Sequence, residues 1–400
     1  MEDVFICDAV RTPFGKYKGS LSTIRPDDLG AIPIKSLVER NIFLDVNEID
    51  DIILGCANQA GEDNRNVARM AALLSGLPKE ITGTTINRLC GSGMDAIAIG
   101  ARAIKAEEAS VLICGGVESM SRAPYVMGKS ESPFARNMKI EDSTMGWRFV
   151  NKKMKTMYGV DSMPETAENL AKIYNISREE QDLFAYNSQM KFARAADQNK
   201  FADELIPVKL LDRKNNEIVF TKDEHPRATE LSTLAKLRSV VSENGTVTAG
   251  NASGINDGAA AILLASGKGV KKNRLNPKAK VICSAVGGVS PNVMGIGPVP
   301  AIKKVLKMSG LTLKDMDVIE INEAFAAQVI SVSKEINLDI NDERLNPNGG
   351  AIAIGHPLGA SGVRLITTAT HELRRRKGKY ALCAMCIGVG QGIAMIIEAI

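Results

Sequence analysis

Short apolar runs rich in β-branched residues alternate along this chain with stretches in which apolar residues recur every three or four positions. MDAIAIGARAIKAEE at 94–108 and SGVRLITTATHELRRR at 361–376 are two of the helical stretches, and VFICDAV at 4–10 is one of the apolar runs. Alternating strands and helices are typical of helices packed on a parallel sheet. The pattern therefore predicts an α/β fold with a largely parallel sheet.

Four short segments in the first part of the chain have a similar partner in its last part. The partners follow in the same order at offsets of 276, 266, 269 and 269 residues. The pairs are 4–10 with 280–286, 51–60 with 317–326, 90–93 with 359–362, and 111–114 with 380–383. Ordered matches at nearly one offset indicate two copies of one β/α unit.

The region between the two copies has a different composition. Residues 121–249 hold more Lys, Met and charge, and they include long helical patterns, whereas the chain after them returns to a Gly/Ala-rich apolar style. We predict three units: an N-terminal half at 1–120 plus 250–273, an inserted loop domain at 121–249, and a C-terminal half at 274–400.

Composition limits the classes of function. No apolar run is long enough to span a bilayer, and the N-terminus lacks the features of a signal or transit peptide, so we expect a cytoplasmic protein without a membrane partner. The seven cysteines are not spaced as a disulfide framework, which favours reduced thiols. A net charge of +4 is too small to indicate nucleic-acid binding. Residues 121–155 nevertheless hold eight Lys/Arg against three Asp/Glu, a basic stretch that suits an anionic ligand or a solvated face.

Cys90 is the first candidate for chemistry. It lies in NRLCGSG between an apolar run and a helical pattern, which predicts a strand-to-helix turn with small residues beside the sulfur. A helix N-terminus stabilises a thiolate, so we expect the pKa of this thiol to be lowered. The alternative is that Cys90 is a small buried apolar residue.

His356 differs from the other two histidines, His225 and His371, which lie in charged or polar stretches and are interpreted as surface residues. The loop GHPLGASG around His356 permits close approach of a ligand. Its imidazole could take a thiol proton and later stabilise an oxyanion. A loop histidine hydrogen-bonded to backbone is the alternative.

Cys386 lies in the glycine-rich segment CIGVGQG near the C-terminus and forms a CxxC with Cys383. No second ligand pair supports zinc, and the glycine spacing does not match a dinucleotide site. The glycines could expose backbone N–H groups beside a thiol, as an oxyanion site requires. Two thiols and an imidazole together suit carbon–carbon bond chemistry through a thioester.

The chain resembles the thiolase family from end to end. The motifs VRTPFG, NRLCGSG, GGVESMSRAP, NASGINDGAA, NEAFA, GHPLGASG and CIGVGQG stand in family order. The resemblance implies a thiolase fold, in which two duplicated βαβαβαββ halves form a layered α/β/α/β/α core with an inserted loop domain. It also implies a homotetramer assembled from dimers, acyl-CoA and CoA as ligands, and no metal or bound cofactor, with coenzyme A as a co-substrate.

The resemblance also implies roles for individual residues. Cys90 matches the acylated nucleophile, His356 its activator, and Cys386 the acid/base. Asn322 in NEAFA matches a residue that holds an oxyanion-site water, and the amides of Cys90 and Gly388 would form a second oxyanion site. A buried turn amide is the alternative for Asn322.

Further positions match the binding sites of the family. Arg227 and Ser253 correspond to positions near the nucleotide and the pantetheine of CoA, and Met294 to a position that lines the pocket. A surface arginine, a turn serine and a packing methionine are the alternatives.

The predicted substrate is dicarboxylic. Biosynthetic acetoacetyl-CoA members carry a histidine where this chain has Ser162, whereas STMGWRFVNKKMKTMYGVDSMPETAEN is most similar to members that convert 3-oxoadipyl-CoA to succinyl-CoA and acetyl-CoA in the degradation of aromatic compounds. Arg122, Arg148 and Lys152 could bind the terminal carboxylate, or instead a CoA phosphate or solvent.

Other functions remain as alternatives. Within the family these are acetoacetyl-CoA thiolase and a broad 3-ketoacyl-CoA thiolase. A ketosynthase-like condensing enzyme would usually have a histidine in place of Cys386, and a non-catalytic acyl-CoA-binding relative would have lost a catalytic residue. Oxidation could also link Cys90 to Cys386.

Overall fold

The computed structural model describes residues 2–211 and 214–400 of the chain. The first half begins with eight elements, which are β1 (Val4–Arg11), β2 (Gly15–Lys16), α1 (Pro26–Arg40), β3 (Asp51–Gly55), α2 (Val67–Leu74), β4 (Thr82–Ile86), α3 (Ser92–Lys105) and β5 (Val111–Ser119). The inserted region follows with β6 (Tyr125–Met127), β7 (Ile140–Asp142), α4 (Lys152–Tyr158), α5 (Met163–Ile173), α6 (Arg178–Asp197), β8 (Val208–Leu211), β9 (Glu217–Phe220) and α7 (Leu231–Leu234).

The chain then completes the first half and builds the second. These elements are β10 (Asn256–Ser266), α8 (Gly267–Lys272), β11 (Ala279–Gly288), α9 (Pro298–Ser309), β12 (Val318–Ile321), α10 (Ala326–Glu335), α11 (Ala351–Ile354), α12 (Leu358–Arg376), β13 (Tyr380–Ile387) and β14 (Gln391–Ala399). Short 3-10 helices lie at Ser20–Thr23, Val46–Glu48, Pro291–Ile296 and Leu313–Asp315.

One large sheet runs through both halves. Its strand order is β4-β3-β5-β10-β1-β11-β14-β13-β12, with β2 paired to β10. The halves join where β1 and β11 pair antiparallel, with Phe5 opposite Lys280 and Ile6 opposite Ala279. From this junction outwards the two halves have the same order, and a single parallel bridge between Ile319 and Leu345 takes the place of β4 in the second half. The four repeated segments fall in these equivalent elements, so the predicted duplication is confirmed.

The prediction of a largely parallel sheet is wrong. In the described ladders of the large sheet, only β3–β4, β3–β5 and β12–β13 are parallel. The strands around the centre, β1, β10, β11 and β14, pair antiparallel. Strands β1, β10 and β14 are buried on both faces along most of their length, and a continuous apolar run of this kind has the same sequence pattern whichever way its neighbour points.

The helices lie in three layers, and each layer packs against the sheet through its own apolar core. The inner core lies between the two halves of the sheet and includes Met94 of α3, Val363 of α12 and Ile262 of β10. Helices α1 and α2 pack on the outer face of the first half, and α9 and α10 on that of the second. Successive residues of β10 alternate between the inner core and the first outer core, as the period of a strand requires. The predicted α/β/α/β/α layering is confirmed.

The two inner helices begin in direct backbone contact. A Cβ placed on Gly93 of α3 would lie 2.3 Å from the carbonyl oxygen of Gly359 in α12. A Cβ placed on Gly359 would lie 2.4 Å from the Val117 carbonyl oxygen and 2.5 Å from that of Gly55. Only glycine allows this approach. It brings the residues that precede α3 and α12 to the same end of the sheet.

The inserted region lies between Ser119, where β5 ends, and Asn256, where β10 begins. Its two longer helices, α5 and α6, each start with a capping box; in α5 the hydroxyl of Ser162 accepts from the Glu165 amide and the Glu165 carboxylate accepts from the Ser162 amide. Helix α5 packs on α10 and on the 3-10 helix at Pro291–Ile296. No helix in the described part of the chain is long and apolar enough to cross a membrane.

Replacing Gly93 by Ala tests the contact between α3 and α12. The two helices must separate, because the added Cβ would lie 2.3 Å from a backbone oxygen. We expect the free energy of unfolding, measured by chemical denaturation, to fall by about 1–3 kcal/mol. Gly288→Ala is the matched control, since the nearest atom to its Cβ would be 3.9 Å away. Equal free energies of unfolding for the two variants would show that α3 and α12 are not in tight contact.

Candidate active site

Cys90 lies in a tight turn between β4 and α3. Leu89, just before it, has a φ of +47°, a conformation that is costly for a large side chain and is found where the surrounding structure enforces it. The turn is held by its own hydrogen bonds: the Leu89 amide donates to Oδ1 of Asn87 at 2.8 Å, and the amides of Gly91 and Ser92 donate to the carbonyls of Arg88 and Leu89 at 3.0 Å. The position of the sulfur is therefore fixed by the backbone.

Two backbone amides point at the Cys90 sulfur, those of Cys90 itself and of Gly388. Gly388 belongs to the turn between β13 and β14, and a Cβ placed on it would lie 3.4 Å from Cδ1 of Leu89. The turn after Cys386 and the turn around Cys90 thus pack against each other, and both contribute N–H donors at the same sulfur.

The expectation of a lowered pKa for Cys90 is wrong. Burial raises the pKa of this thiol to about 11, although hydrogen bonds from the two amides act in the opposite direction. The amides of Gly91 and Ser92, at the start of α3, are used by carbonyls within the turn. Loss of solvation therefore outweighs the effect of the helix N-terminus.

Cys386 lies at the end of β13, buried in a small core with Met294, Ala324 and Phe325. Burial raises the pKa of its thiol, and the charge of a Cys90 thiolate is the next largest cause, so the two sulfurs are electrostatic neighbours. Cys383 belongs to the inner core instead, on the other side of the strand. All seven cysteines are free thiols, as the sequence predicted.

His356 is buried in the loop before α12 with a defined hydrogen-bond pattern. Its Nδ1 lies 2.6 Å from Oγ of Ser361. The Ser361 hydroxyl donates its own proton to the Pro357 carbonyl at 2.8 Å, so Ser361 accepts and Nδ1 carries the ring proton. The other nitrogen, Nε2, is left as an acceptor and lies 3.5 Å from Nδ2 of Asn322. The backbone amide of His356 donates to Oδ1 of Asn256 at 2.9 Å.

Burial keeps the His356 imidazole neutral. It lowers the pKa of His356 to about 3, and the charge of Arg364 contributes in the same direction. Since the pKa of Cys90 is raised, a thiolate–imidazolium pair is not the resting state. The resting site holds a neutral thiol and a neutral imidazole with an unprotonated Nε2.

Asn322 joins this group from the end of β12. The backbone N–H of Asn322 donates to the carbonyl of Ala384 at 3.0 Å, and Ala384 lies two residues before Cys386. The side chain is fully buried, and its Oδ1 has no hydrogen-bond partner among the described atoms. A buried acceptor without a partner is a place for a water molecule or a ligand group.

The residues proposed to bind CoA lie in two places. The Ser253 amide donates to the Ala324 carbonyl at 2.9 Å, which puts Ser253 beside the NEAFA segment. Met294 is buried in the same core as Cys386. Arg227 is exposed; its Nη2 donates to the Ala249 carbonyl at 3.3 Å, and its amide donates to Oε1 of Gln189 at 3.1 Å.

The three basic candidates for a substrate carboxylate differ in their surroundings. Arg122 already binds a carboxylate: its guanidinium pairs with Glu62, with Nη2 2.7 Å from Oε1. Arg148 is half-buried and its Nη1 lies 3.5 Å from the Ser143 carbonyl. Lys152 is exposed at the start of α4. The charge of Arg122 is thus compensated within the protein.

The interpretation of His371 and His225 as surface residues is wrong. His371 is buried in α12 and its Nε2 donates to the Ala9 carbonyl at 3.0 Å. Helix α12 is enclosed between the halves of the sheet until its last turn, so its polar residues do not indicate exposure. His225 is half-buried against Gly254, whose Cβ, if present, would lie 2.1 Å from the imidazole.

Two polar residues were missed by sequence reasoning. Ser361 fixes the tautomer of His356, and its position in the same GHPLGASG motif was an available signal. Glu118 is fully buried beside the site. An acid at the end of the otherwise apolar strand VLICGGVES was the signal for it.

The raised pKa of Cys90 predicts how the thiol reacts with iodoacetamide. Because a pKa of about 11 leaves little thiolate near neutrality, the rate of alkylation at Cys90 should rise continuously from about pH 7 to about pH 10. Peptide mass spectrometry at timed intervals measures it, with Cys90→Ser as the control for other sites. A plateau below about pH 8 would mean that the helix N-terminus outweighs burial after all.

Comparison with known proteins agrees with this arrangement. The sequence models of the thiolase N-terminal and C-terminal domains match residues 4–268 and 275–399. The chain is 61% identical to the beta-ketoadipyl-CoA thiolase of Acinetobacter baylyi, with 100% of both chains covered. It is 57% identical to the 3-oxoadipyl-CoA/3-oxo-5,6-dehydrosuberyl-CoA thiolase of Escherichia coli K12, again with 100% of both covered.

A solved structure extends the agreement to the fold. Human mitochondrial 3-ketoacyl-CoA thiolase in complex with CoA superposes with a TM-score of 0.92 at 44% identity, and the match covers 100% of this chain and 98% of the human one. Both domain models of the family match, the relatives align over their full length, and the layered, duplicated fold is the same. The chain belongs to the thiolase family.

Proposed function

We propose that this protein cleaves 3-oxoadipyl-CoA with CoA to give succinyl-CoA and acetyl-CoA, through an acyl group held on Cys90. The observation that carries the proposal is the convergence of two backbone amides on the Cys90 sulfur, with a second thiol as an electrostatic neighbour. An acyl thioester on that sulfur would place its oxygen within reach of both donors. The site is thus arranged to stabilise an oxyanion next to a covalent intermediate.

The first step is attack of Cys90 on the 3-oxo carbon. Because both groups are neutral at rest, the proton leaves the sulfur as the bond to carbon forms, and Nε2 of His356 is the available acceptor. The amides of Cys90 and Gly388 then donate to the oxyanion of the adduct. This order of events avoids a charged pair in a buried site.

Collapse of the adduct breaks the bond between C2 and C3 and releases acetyl-CoA as its enolate. After taking the proton, Nε2 of His356 is a donor and can stabilise the enolate oxygen. The unpaired Oδ1 of Asn322 is a suitable acceptor for a water molecule that would donate to the same oxygen. One imidazole thus serves first as base and then as oxyanion donor.

Cys386 is the proposed acid/base. Its raised pKa keeps the thiol protonated, so it can donate a proton to the enolate carbon. The resulting thiolate then deprotonates incoming CoA, whose sulfur takes the acyl group from Cys90 in a ping-pong cycle. No metal is needed for any of these steps.

The substrate proposal rests on two relatives and one geometric difference. The A. baylyi and E. coli relatives are named for the adipyl substrate. Arg122 is compensated by Glu62, which leaves Arg148 as the better candidate for the terminal carboxylate. Arg148 lies on the segment that leads to Met163, whose Sδ would be 3.7 Å from a Cβ on Gly388. The end of this segment therefore lies beside the turn of Gly388 and packs against the small core that contains Cys386.

Binding of CoA by Arg227, Ser253 and Met294, assembly as a homotetramer, and a cytoplasmic location complete the proposal. The human relative whose structure contains CoA supports the first of these. The resemblance of the sequence to the family supports the homotetramer, and the lack of a helix that could cross a membrane in the described part of the chain agrees with the location.

The test is acetyl-CoA release from 3-oxoadipyl-CoA and from acetoacetyl-CoA, each with free CoA at matched concentrations. We expect a preference for 3-oxoadipyl-CoA that Arg148→Ala lowers by about tenfold or more, because a charge-assisted hydrogen bond to the carboxylate is lost. Arg122→Ala is the matched control and should retain the preference, since Glu62 already binds that guanidinium.

The possible outcomes separate the parts of the proposal. A wild-type preference for acetoacetyl-CoA would leave the thiolase chemistry intact and reject the dicarboxylic substrate. A preference that survives both substitutions would retain the substrate but reject Arg148 as its partner.

A further inference from the structure

Glu118 connects three parts of the molecule through one buried carboxylate. Its Oε1 accepts from the Asn58 amide at 2.9 Å, and its Oε2 accepts from the amides of Ala57 at 3.0 Å and Gly359 at 2.9 Å. Ala57 and Asn58 follow β3 in the first half of the molecule, whereas Gly359 is the second residue of α12 in the second half. The carboxylate thus spans the boundary between the halves.

Cys56, Asp63 and Glu118 form a cluster in which the possible metal-ligand atoms lie within 4.8 Å of one another. The cluster is nevertheless not arranged to bind a cation. The carboxylates face N–H donors: Asp63 accepts from the Gly61 amide at 2.9 Å, and Glu118 accepts from three amides. The Cys56 thiol donates to the Asn58 carbonyl at 3.1 Å. A metal would have to displace these donors, so the function of the cluster lies in the hydrogen bonds themselves.

The amide of Gly359 links Glu118 to the imidazole. Gly359 lies three residues after His356 and two before Ser361, which binds Nδ1 of His356. The first turn of α12 therefore carries both the ring and the group that sets its tautomer. Glu118 also interacts electrostatically with Cys90 and contributes to the raised pKa of that thiol. Glu118 is thus linked to His356 through the first turn of α12 and to Cys90 through its charge.

A second connection leads to the inserted region. Nδ2 of Asn58 donates to the Ser143 carbonyl at 3.0 Å, and the same carbonyl is 3.5 Å from Nη1 of Arg148. The amide of Asn58 is one of the three bound by Glu118. The segment that carries the proposed substrate arginine is thereby attached to the same carboxylate.

We propose that Glu118 is a positioning residue for the reaction: by accepting amides from the loop after β3 and from the first turn of α12, it holds His356 in register with Cys90. The inference rests on the proposed function, since it concerns the alignment of those two groups. Glu118 itself does not contact the substrate. Its loss should therefore change the rate of the chemical step and leave CoA binding intact.

The protonation state of Glu118 gives the proposal a distinct readout. Burial raises the pKa of Glu118 to about 7. Above that pH the carboxylate accepts all three amides, whereas below it the added proton competes with the amide donors, so kcat should fall as the pH drops through about 7. The titratable groups that interact with it are Cys56, Asp63 and Cys90; burial raises the pKa of both thiols above their ordinary value, and burial also raises the pKa of Asp63 from its ordinary acidic value.

The test is Glu118→Gln, assayed for thiolysis from about pH 5.5 to about pH 8.5. Glutamine has nearly the same volume but one acceptor oxygen, so at least one of the three amides loses its partner. We expect kcat to fall roughly tenfold to a hundredfold, KM for CoA to stay unchanged, and the acid limb near pH 7 to disappear. Glu372→Gln is the matched control, because it removes a buried carboxylate from the far end of α12; it should keep the acid limb.

If Glu118→Gln does not fold, Glu118→Asp replaces it, since its shorter side chain keeps the charge but cannot reach all three amides. An unchanged kcat and an unchanged acid limb in the folded variant would overturn the inference. Wild-type protein without thiolysis would instead reject the proposed function, so the two failures are distinguishable. A lower stability with an unchanged pH profile would assign Glu118 to folding only and also overturn it.

Discussion

The backbone contact between α3 and α12 is the constraint on which the rest of the structure depends. Gly93 and Gly359 meet with no room for a side chain, and Gly359 is in the same kind of contact with β3 and β5. Because α3 leads into β5 in the first half and α12 leads into the equivalent β13 in the second, this contact brings equivalent positions of the two copies together. Cys90 precedes one helix and His356 precedes the other, so the duplication itself creates a site with two different groups.

The electrostatics of the site follow from the same burial. Tight packing removes water, which raises the pKa of the Cys90 thiol and lowers that of His356. In a site without water, a separated ion pair has a high free-energy cost, whereas the hydrogen bonds from fixed amide donors to a developing oxyanion are strengthened. The resting site therefore holds no preformed thiolate, and its fixed backbone amides are preorganised donors. In the proposed mechanism, charge appears only while substrate is bound.

Much of this architecture could be predicted from the sequence. The four repeats located the two halves, and the motifs around Cys90, His356 and Cys386 indicated the proposed reacting groups, because glycine-rich turns next to reactive side chains are local signals. Strand direction could not be predicted, since a strand buried on both faces has the same apolar pattern in either orientation. Helix α12 shows a similar limit: its polar residues, such as His371, are buried by a layer that is distant in sequence.

The direction of the Cys90 pKa shift and the roles of Glu118 and Ser361 depend on tertiary contacts. The turn around Gly388, which packs against the turn that carries Cys90, is almost three hundred residues away in the chain. Glu118 reaches an amide 241 positions away. Likewise, the compensation of Arg122 by Glu62 joins segments 60 residues apart. A pattern of neighbouring residues cannot indicate contacts between segments so far apart in the chain.

Locating the acyl group is the most direct test of the proposed mechanism. The protein is incubated with 3-oxoadipyl-CoA in the absence of free CoA, quenched in acid, digested and examined by peptide mass spectrometry. We expect a succinyl group on Cys90 together with release of acetyl-CoA, and no adduct in Cys90→Ser. Acylation of Cys386 instead of Cys90, or acetyl-CoA release by the Cys90→Ser variant, would contradict the mechanism.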